Sequence, residues 1–365
     1  MKVLTIVGAR PQFIKAAMVS KAIAESDDVS EEIIHTGQHY DANMSDIFFE
    51  QMRIPKPAVR MKFGGRSHGA MTGQMLEAIE SEIVQRKPDV VLVYGDTNST
   101  LAGALAAAKL CIPVAHVEAG LRSFNKRMPE EINRIMTDHA STYLFCPTSS
   151  AVQHLKNEGI VNGVHQVGDV MYDAALFFGE ISNKHSNISH ELELNPGSYH
   201  LATVHRQENT DNLVRLKNIF EAFDQISSKD CPLILPLHPR TKGALEKAEI
   251  ILSNSNIRLL SPLSFLDMVQ LEKNAKIILT DSGGVQKEAY FHKVPCITLR
   301  DETEWVETVS AGWNQIVGAN CPKILLAVRQ YDILNCSKIT EYGNGHSSED
   351  IVQILCSLSS QQRVR

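Results

Sequence analysis

Three carboxylates, Asp96, Glu118 and Glu131, fall close together in the chain, each at the edge of a segment with a clear pattern. Asp96 lies in the turn cluster Gly95-Asp96-Thr97-Asn98, directly after the apolar run VVLVY (Val90 to Tyr94). Glu118 ends a second apolar run, Pro113 to Val117, and Glu130, Glu131 and Arg134 sit on the first turns of the following helix, PEEINR. Acids gathered this way repel one another's charge, so at least one is expected above its ordinary pKa, which suits proton transfer. Each acid taken singly also has a plainer reading: Asp96 capping its helix, Glu131 pairing with Arg134.

A second set of residues suits phosphate. Lys2 to Val7 reads as a strand followed by Gly8-Ala9-Arg10-Pro11 and a helix, an arrangement that presents N–H groups and a positive dipole end to an anion. Arg10 and Lys15 add formal charge there. Further on, Thr280-Asp281-Ser282-Gly283-Gly284 opens a helix, so Ser282, Gly283 and Gly284 offer N–H groups to a phosphate, with Glu288 one turn on to meet ribose hydroxyls. His205-Arg206 and His238-Pro239-Arg240 close two other apolar runs, and Gln38-His39 follows a third.

These residues need strands to end beside one another. VVLVY is β-branched and apolar throughout, as a strand covered on both faces is. The strand–helix–strand unit from Val90 to Val117 implies a right-handed parallel crossover, whose strand ends open onto a ligand crevice. The pattern recurs: YGDTNST…IPVAHVEAG in the first half resembles LTDSGGV…VPCITLRDE in the second. Two doubly wound α/β domains are therefore expected. Residues 1–169 would form the first and the residues from 170 the second, with Lys184 to Pro196 as candidate linker. The helix beginning near Leu213 shows a 3.6-residue stripe (Leu213, Leu216, Ile219, Phe220, Phe223, Ile226) that reads as core.

The composition excludes several classes. A chain of 365 residues holds two cores, and a net charge of −6 argues against a general nucleic-acid binder. Seven scattered cysteines without a CxxC pair fit reduced thiols in the cytoplasm, and no apolar segment reaches the length of a membrane span. GxGxxG after the first strand, GxxxxGK[ST], GxSxG and HExxH are all absent, and the histidines lack metal-ligand spacing, so no metal is expected.

GARPQFIK, GDTNSTLAG, HVEAGLRS, PEEINR, HRQEN, LHPR and DSGGVQKEA, in this order, resemble the non-hydrolysing UDP-N-acetylglucosamine 2-epimerases over nearly the whole chain. The resemblance implies a glycosyltransferase-B-like fold of two Rossmann-like domains with the active site in the interdomain cleft. In that fold a C-terminal helix of about 346–365 returns to the first domain and leaves 170–345 as the second. The resemblance also implies a homodimer, a UDP-sugar substrate and no cofactor. It implies inversion at C2 by elimination and re-addition of UDP, with Asp96, Glu118, Glu131 and His205 catalytic. Arg10, Lys15, Arg206, Ser282, Gly283, Gly284 and Glu288 would hold the UDP moiety. Gln38, His39 and His238 match positions where some members bind a second, activating UDP-GlcNAc. The segment Thr303-Glu304-Trp305-Val306-Glu307 and the opening GARPQFIK resemble the branch acting on UDP-2,3-diacetamido-2,3-dideoxyglucuronate, a precursor of surface polysaccharide. A hydrolysing relative releasing free sugar and UDP, a glycosyltransferase and a nucleotide-sugar sensor without turnover are the competing readings.

Overall fold

A computed structural model describes residues 1–38, 52, 54–63, 65, 67–331 and 336–362, except the side chains of Arg10 and of residues 358–362. His39 and the Arg10 side chain therefore lie outside the described residues. The chain forms two compact units, Met1–Ala174 with Thr340–Arg365, and Ala175–Ile339.

The first unit runs β1 (Lys2–Val7), α1 (Arg10–Ala24), β2 (Ser30–His35), β3 (Val59–Arg60), α2 (His68–Arg86), β4 (Val90–Tyr94) and α3 (Asn98–Lys109). It continues with β5 (Val114–Val117), α4 (Pro129–Ala140), β6 (Tyr143–Cys146), α5 (Ser149–Asn157) and β7 (Val164–Gln166). The seven strands are ordered β3-β2-β1-β4-β5-β6-β7, and every described pairing is parallel. β4 is buried along its whole length because helices cover both faces of the sheet. Its Val91 and Val93 meet Leu4 and Ile6 of β1, Met75 and Ile79 of α2, and Ala104 and Ala107 of α3 in one core cluster.

α6 (Val170–His185) starts in the first unit and ends in the second. The second unit adds α7 (Ile188–Glu191), β8 (His200–Thr203), α8 (Gln207–Thr210), α9 (Leu213–Ile226), β9 (Leu233–Pro236), α10 (Pro239–Lys247) and β10 (Ile257–Leu260). Then come α11 (Phe265–Asn274), β11 (Ile277–Thr280), α12 (Gly283–Phe291), β12 (Cys296–Thr298), α13 (Val306–Ser310), β13 (Asn314–Ile316) and α14 (Cys321–Gln330). Its six parallel strands are ordered β10-β9-β8-β11-β12-β13, the same winding as the first unit. The α9 stripe is core as expected at Leu216, Ile219, Phe220 and Phe223, but Leu213 at its start is exposed.

Two expectations change. Residues 184–196 are not a linker: they lie inside the second unit, where Ile188 and Leu194 are buried against Tyr199, Leu201 and Ile278. The unit boundary falls within α6, a few residues later than expected. The final helix, α15 (Ser347–Gln362), belongs to the first unit, where it packs on α1. Asp173 fixes its start by accepting from the N–H groups of Ser347 (3.2 Å) and Ser348 (2.7 Å) and from the Ser348 hydroxyl.

Candidate active site

In a doubly wound sheet the ligand crevice opens at the carboxyl ends of the strands where the strand order reverses, here between β1 and β4 in one unit and between β8 and β11 in the other. Gly8 and Gly95–Asp96 follow the first pair, His205–Arg206 and Asp281–Gly284 the second.

In the first unit, the Gly95 N–H donates to Val117 O (3.0 Å), which ties the turn after β4 to the end of β5 and brings Asp96 beside Glu118. Thr97, not Asp96, caps α3 by accepting from the Thr100 N–H, which leaves the Asp96 carboxylate for other work. Arg134 donates to Asp96 Oδ2 at 2.6 Å. The Asp96 carboxyl lies above the ordinary range, first through desolvation and further through the charges of Glu118 and Glu130, with Arg134 and Lys15 opposing. Its side chain is still 37% exposed, so the carboxyl is open to a ligand.

Glu118, itself partly buried, forms an ion pair with buried Lys15, so this lysine is neither solvated nor held free for a diphosphate in this state. Gly95 (φ 60°) allows the pair to sit where it does: a β-carbon there would lie 3.2 Å from Glu118 Oε2 and 3.5 Å from Lys15 Nζ. Glu118 itself adopts φ 73°, a left-handed conformation that a residue with a β-carbon rarely takes.

Glu131, the third acid of the expected catalytic set, is enclosed. It is 1% exposed. Its Oε2 accepts from the Ser123 N–H (2.9 Å) and hydroxyl (3.0 Å), its Oε1 from the Phe124 N–H (2.8 Å), and Arg134 lies 3.3 Å away. In this structure Glu131 is the post that holds the loop before α4. Arg134, which pairs with both Asp96 and Glu131, belongs to the site, and the i, i+3 spacing in PEEINR was its sequence signal.

The turn after β1 is also not the anion cradle expected. Gln12 folds back and its Oε1 accepts from the N–H groups of Gly8 (2.8 Å) and Ala9 (3.0 Å), and Pro11 has no N–H to offer. Its Nε2 donates to Tyr94 O (2.9 Å) and Thr100 Oγ1 (3.0 Å), stitching the β1 turn to the β4 turn. Gln38 is likewise engaged, its Oε1 accepting from the Ser99 N–H (3.0 Å) and hydroxyl (2.8 Å).

In the second unit Asp281, fully buried at the end of β11, organises the strand-end residues. It accepts from the N–H groups of His205 (3.0 and 3.1 Å) and Arg206 (3.0 Å) and from Asn209 Nδ2 (3.1 Å). The His205 ring is lowered from its ordinary value by desolvation, with Asp281 opposing and Arg206 and His238 reinforcing. His238 lies 5.7 Å from it, ring to ring, and caps α10 through Nδ1. Gly283 and Gly284 form the first turn of α12, whose N–H groups have no acceptor within the helix. The Ser282 N–H is already given to Thr280 Oγ1 (2.9 Å), so the donors this turn offers are those after it, beginning with Gly283 and Gly284. Glu288 Oε2 lies 4.0 Å from the β-carbon position of Gly284, beside that turn. Among the described residues, no cluster of His, Cys, Asp or Glu has the arrangement of a metal site, and no helix is long and apolar enough to cross a membrane.

A family described as UDP-N-acetylglucosamine 2-epimerase matches residues 21–356. A Methanococcus maripaludis protein named UDP-N-acetylglucosamine 2-epimerase homolog is 54% identical, covering 98% of this chain and all of its own. The UDP-2,3-diacetamido-2,3-dideoxy-D-glucuronate 2-epimerase of Pseudomonas aeruginosa is 51% identical over 98% of this chain and 100% of its own. The crystal structure of Methanocaldococcus jannaschii UDP-GlcNAc 2-epimerase in complex with UDP-GlcNAc and UDP superimposes with a TM-score of 0.89 at 46% identity, over 97% of this chain and 99% of that one.

Proposed function

Because the chain belongs to the UDP-N-acetylglucosamine 2-epimerase family, a family of isomerases, we propose that it inverts C2 of a UDP-N-acetylhexosamine without hydrolysis, by eliminating and re-adding UDP. The substrate we favour is UDP-2,3-diacetamido-2,3-dideoxyglucuronate, with UDP-GlcNAc as the alternative. The identity to the P. aeruginosa enzyme and the Thr303–Glu307 segment support that preference. The product would enter surface-polysaccharide synthesis. A cytoplasmic setting is supported by seven cysteines that are all free.

The chemistry explains the residues. The C2 hydrogen of a hexosamine has no adjacent carbonyl and is scarcely acidic. Breaking the C1–O bond places oxocarbenium character at C1 and makes that hydrogen removable. The C2 proton passes to a carboxylate, the C1–O electron pair leaves with UDP, and a 2-acetamidoglycal remains. Protonation of C2 from the opposite face and attack of the UDP oxygen at C1 complete the inversion. This sequence needs two unlike carboxyl groups and cations for a departing diphosphate. Asp96, raised above its ordinary range, and Glu118, ion-paired with Lys15, are such an unlike pair. That pair is the observation that carries the proposal. Arg134 steadies Asp96, while Arg206, Gly283 and Gly284 meet the diphosphate, Glu288 the ribose and His205 the reacting ring or the phosphate.

NMR of the product formed in deuterated water tests the proposal. Solvent deuterium at C2 in the wild-type product, with Glu118→Gln slowing its appearance by about 10²- to 10⁴-fold, is expected. Protium retained at C2, or stoichiometric release of UDP and free sugar, would contradict it.

A further inference from the structure

We infer that His116 and Asp138 are positioning residues for the Asp96–Glu118 pair, forming a buried clamp that fixes the two carboxylates relative to each other without touching substrate. The inference rests on the proposed reaction. Both side chains are shut away from solvent, His116 on β5 and Asp138 on α4. His116 Nε2 lies 2.7 Å from Gly95 O, the carbonyl of the peptide that leads directly into Asp96. His116 Nδ1 lies 2.7 Å from Asp138 Oδ1. Asp138 Oδ2 in turn accepts from the Gly120 N–H (3.1 Å) and from Arg122 (2.6 Å).

The pattern of contacts is what points to the role. Glu118 stands two residues after His116 and two before Gly120, so Asp138 holds the His116 side chain on one side of it and the Gly120 N–H on the other. The same histidine holds the peptide preceding Asp96. Glu118 occupies a left-handed conformation that the chain would leave if released, and a clamp on both flanks resists that release. Both ring nitrogens of His116 face oxygen atoms, Gly95 O and Asp138 Oδ1. Asp138 is the acceptor for Gly120 and Arg122. Desolvation opposes its ionisation, but His116 and Arg122 hold its carboxyl below the ordinary range. Arg122 extends the network outward, donating to Glu158 at 2.7 and 2.8 Å. None of these residues needs to reach a ligand. Their effect is geometric, and displacement of a catalytic group by about 1 Å can cost on the order of 100-fold in rate.

Two variants of the full chain test the clamp. His116→Phe fills the space and removes both bonds; Asp138→Asn keeps the shape and removes the charge. Ile79→Ala, in the core under α2 and outside the network, serves as a control of matched instability. The measurements are Tm, the Kd for UDP by calorimetry, and kcat and KM for whichever UDP-sugar the wild type turns over. The inference expects kcat to fall by roughly 100-fold in both clamp variants, with KM and the UDP Kd within about 3-fold of wild type. The control should lose Tm and keep kcat when assayed below its transition. Wild-type kcat in a folded His116→Phe or Asp138→Asn protein would overturn the clamp, as would a loss of kcat matched by an equal loss of UDP binding. If His116→Phe fails to fold, Asp138→Asn decides the matter alone. Absence of turnover in the wild type overturns the proposed reaction and this inference with it, an outcome distinct from normal turnover in the variants.

Discussion

Glu118 takes a backbone conformation that costs an L-residue on the order of 1 kcal/mol, and the surrounding structure holds it there. Its N–H and that of Ala119 both donate to Phe145 O, and its carboxylate pairs with Lys15. The place of Asp96 and Glu118 at strand ends was legible in the sequence because each comes just after an apolar run, and strand ends are where such sheets bind ligands. Gln12 was not. GARPQ reads as an anion-binding turn until the side chain is seen filling the donors, and no local pattern announces that fold-back. Removing it has a definite cost. Gln12→Ala strands the buried N–H groups of Gly8 and Ala9 and cuts the link to Tyr94 and Thr100. Urea titration should show a loss of about 2 kcal/mol in unfolding free energy. A change below about 0.5 kcal/mol, the usual range for a surface substitution, would mean the stitch is not needed.

At the scale of elements, strands with continuous apolar runs were readable and three of the edge strands, β3, β10 and β13, were not. Val90–Tyr94 and Lys2–Val7 match their expected spans, because burial on both faces demands largely unbroken apolar sequence. β3, β10 and β13 all lie at the edges of their sheets, where polar residues interrupt the apolar run, so their sequences carry little signal. The second unit also encloses two histidines that the sequence did not single out, His200 buried in the sheet and His292 partly buried. His200 on β8 and His292 after α12 are both lowered from 6.5 to about 4 by desolvation, helped by Lys276 and Lys273 respectively. The unfolded chain therefore binds more protons than the folded one between pH 4 and 6.5. Their contribution is present in full above pH 6.5 and is lost as the pH falls towards 4. Replacing one of them, as in His292→Leu, should flatten the rise of stability with pH across that window by up to about 1.4 kcal/mol per pH unit. Denaturation midpoints at several pH values would show it, and an unchanged slope would contradict the assignment.

For the whole molecule, the repeated turn–helix pattern in each half correctly implied two sheets of the same winding, β3-β2-β1-β4-β5-β6-β7 and β10-β9-β8-β11-β12-β13. The polar stretch 184–196 misled, because two buried apolar residues, Ile188 and Leu194, suffice to fasten it to the second unit. The reaction assigned to the molecule makes one demand above all others: the anomeric bond to UDP must open before C2 changes hand. A substrate carrying ¹⁸O in the oxygen that bridges C1 and the β-phosphate reports on that bond directly. If UDP departs and returns, rotation of the freed phosphate moves the label into non-bridging positions, and the account predicts this scrambling in recovered substrate and in product. Epimerised product that keeps all of its label in the bridge would show that the bond never opened, and would contradict the account.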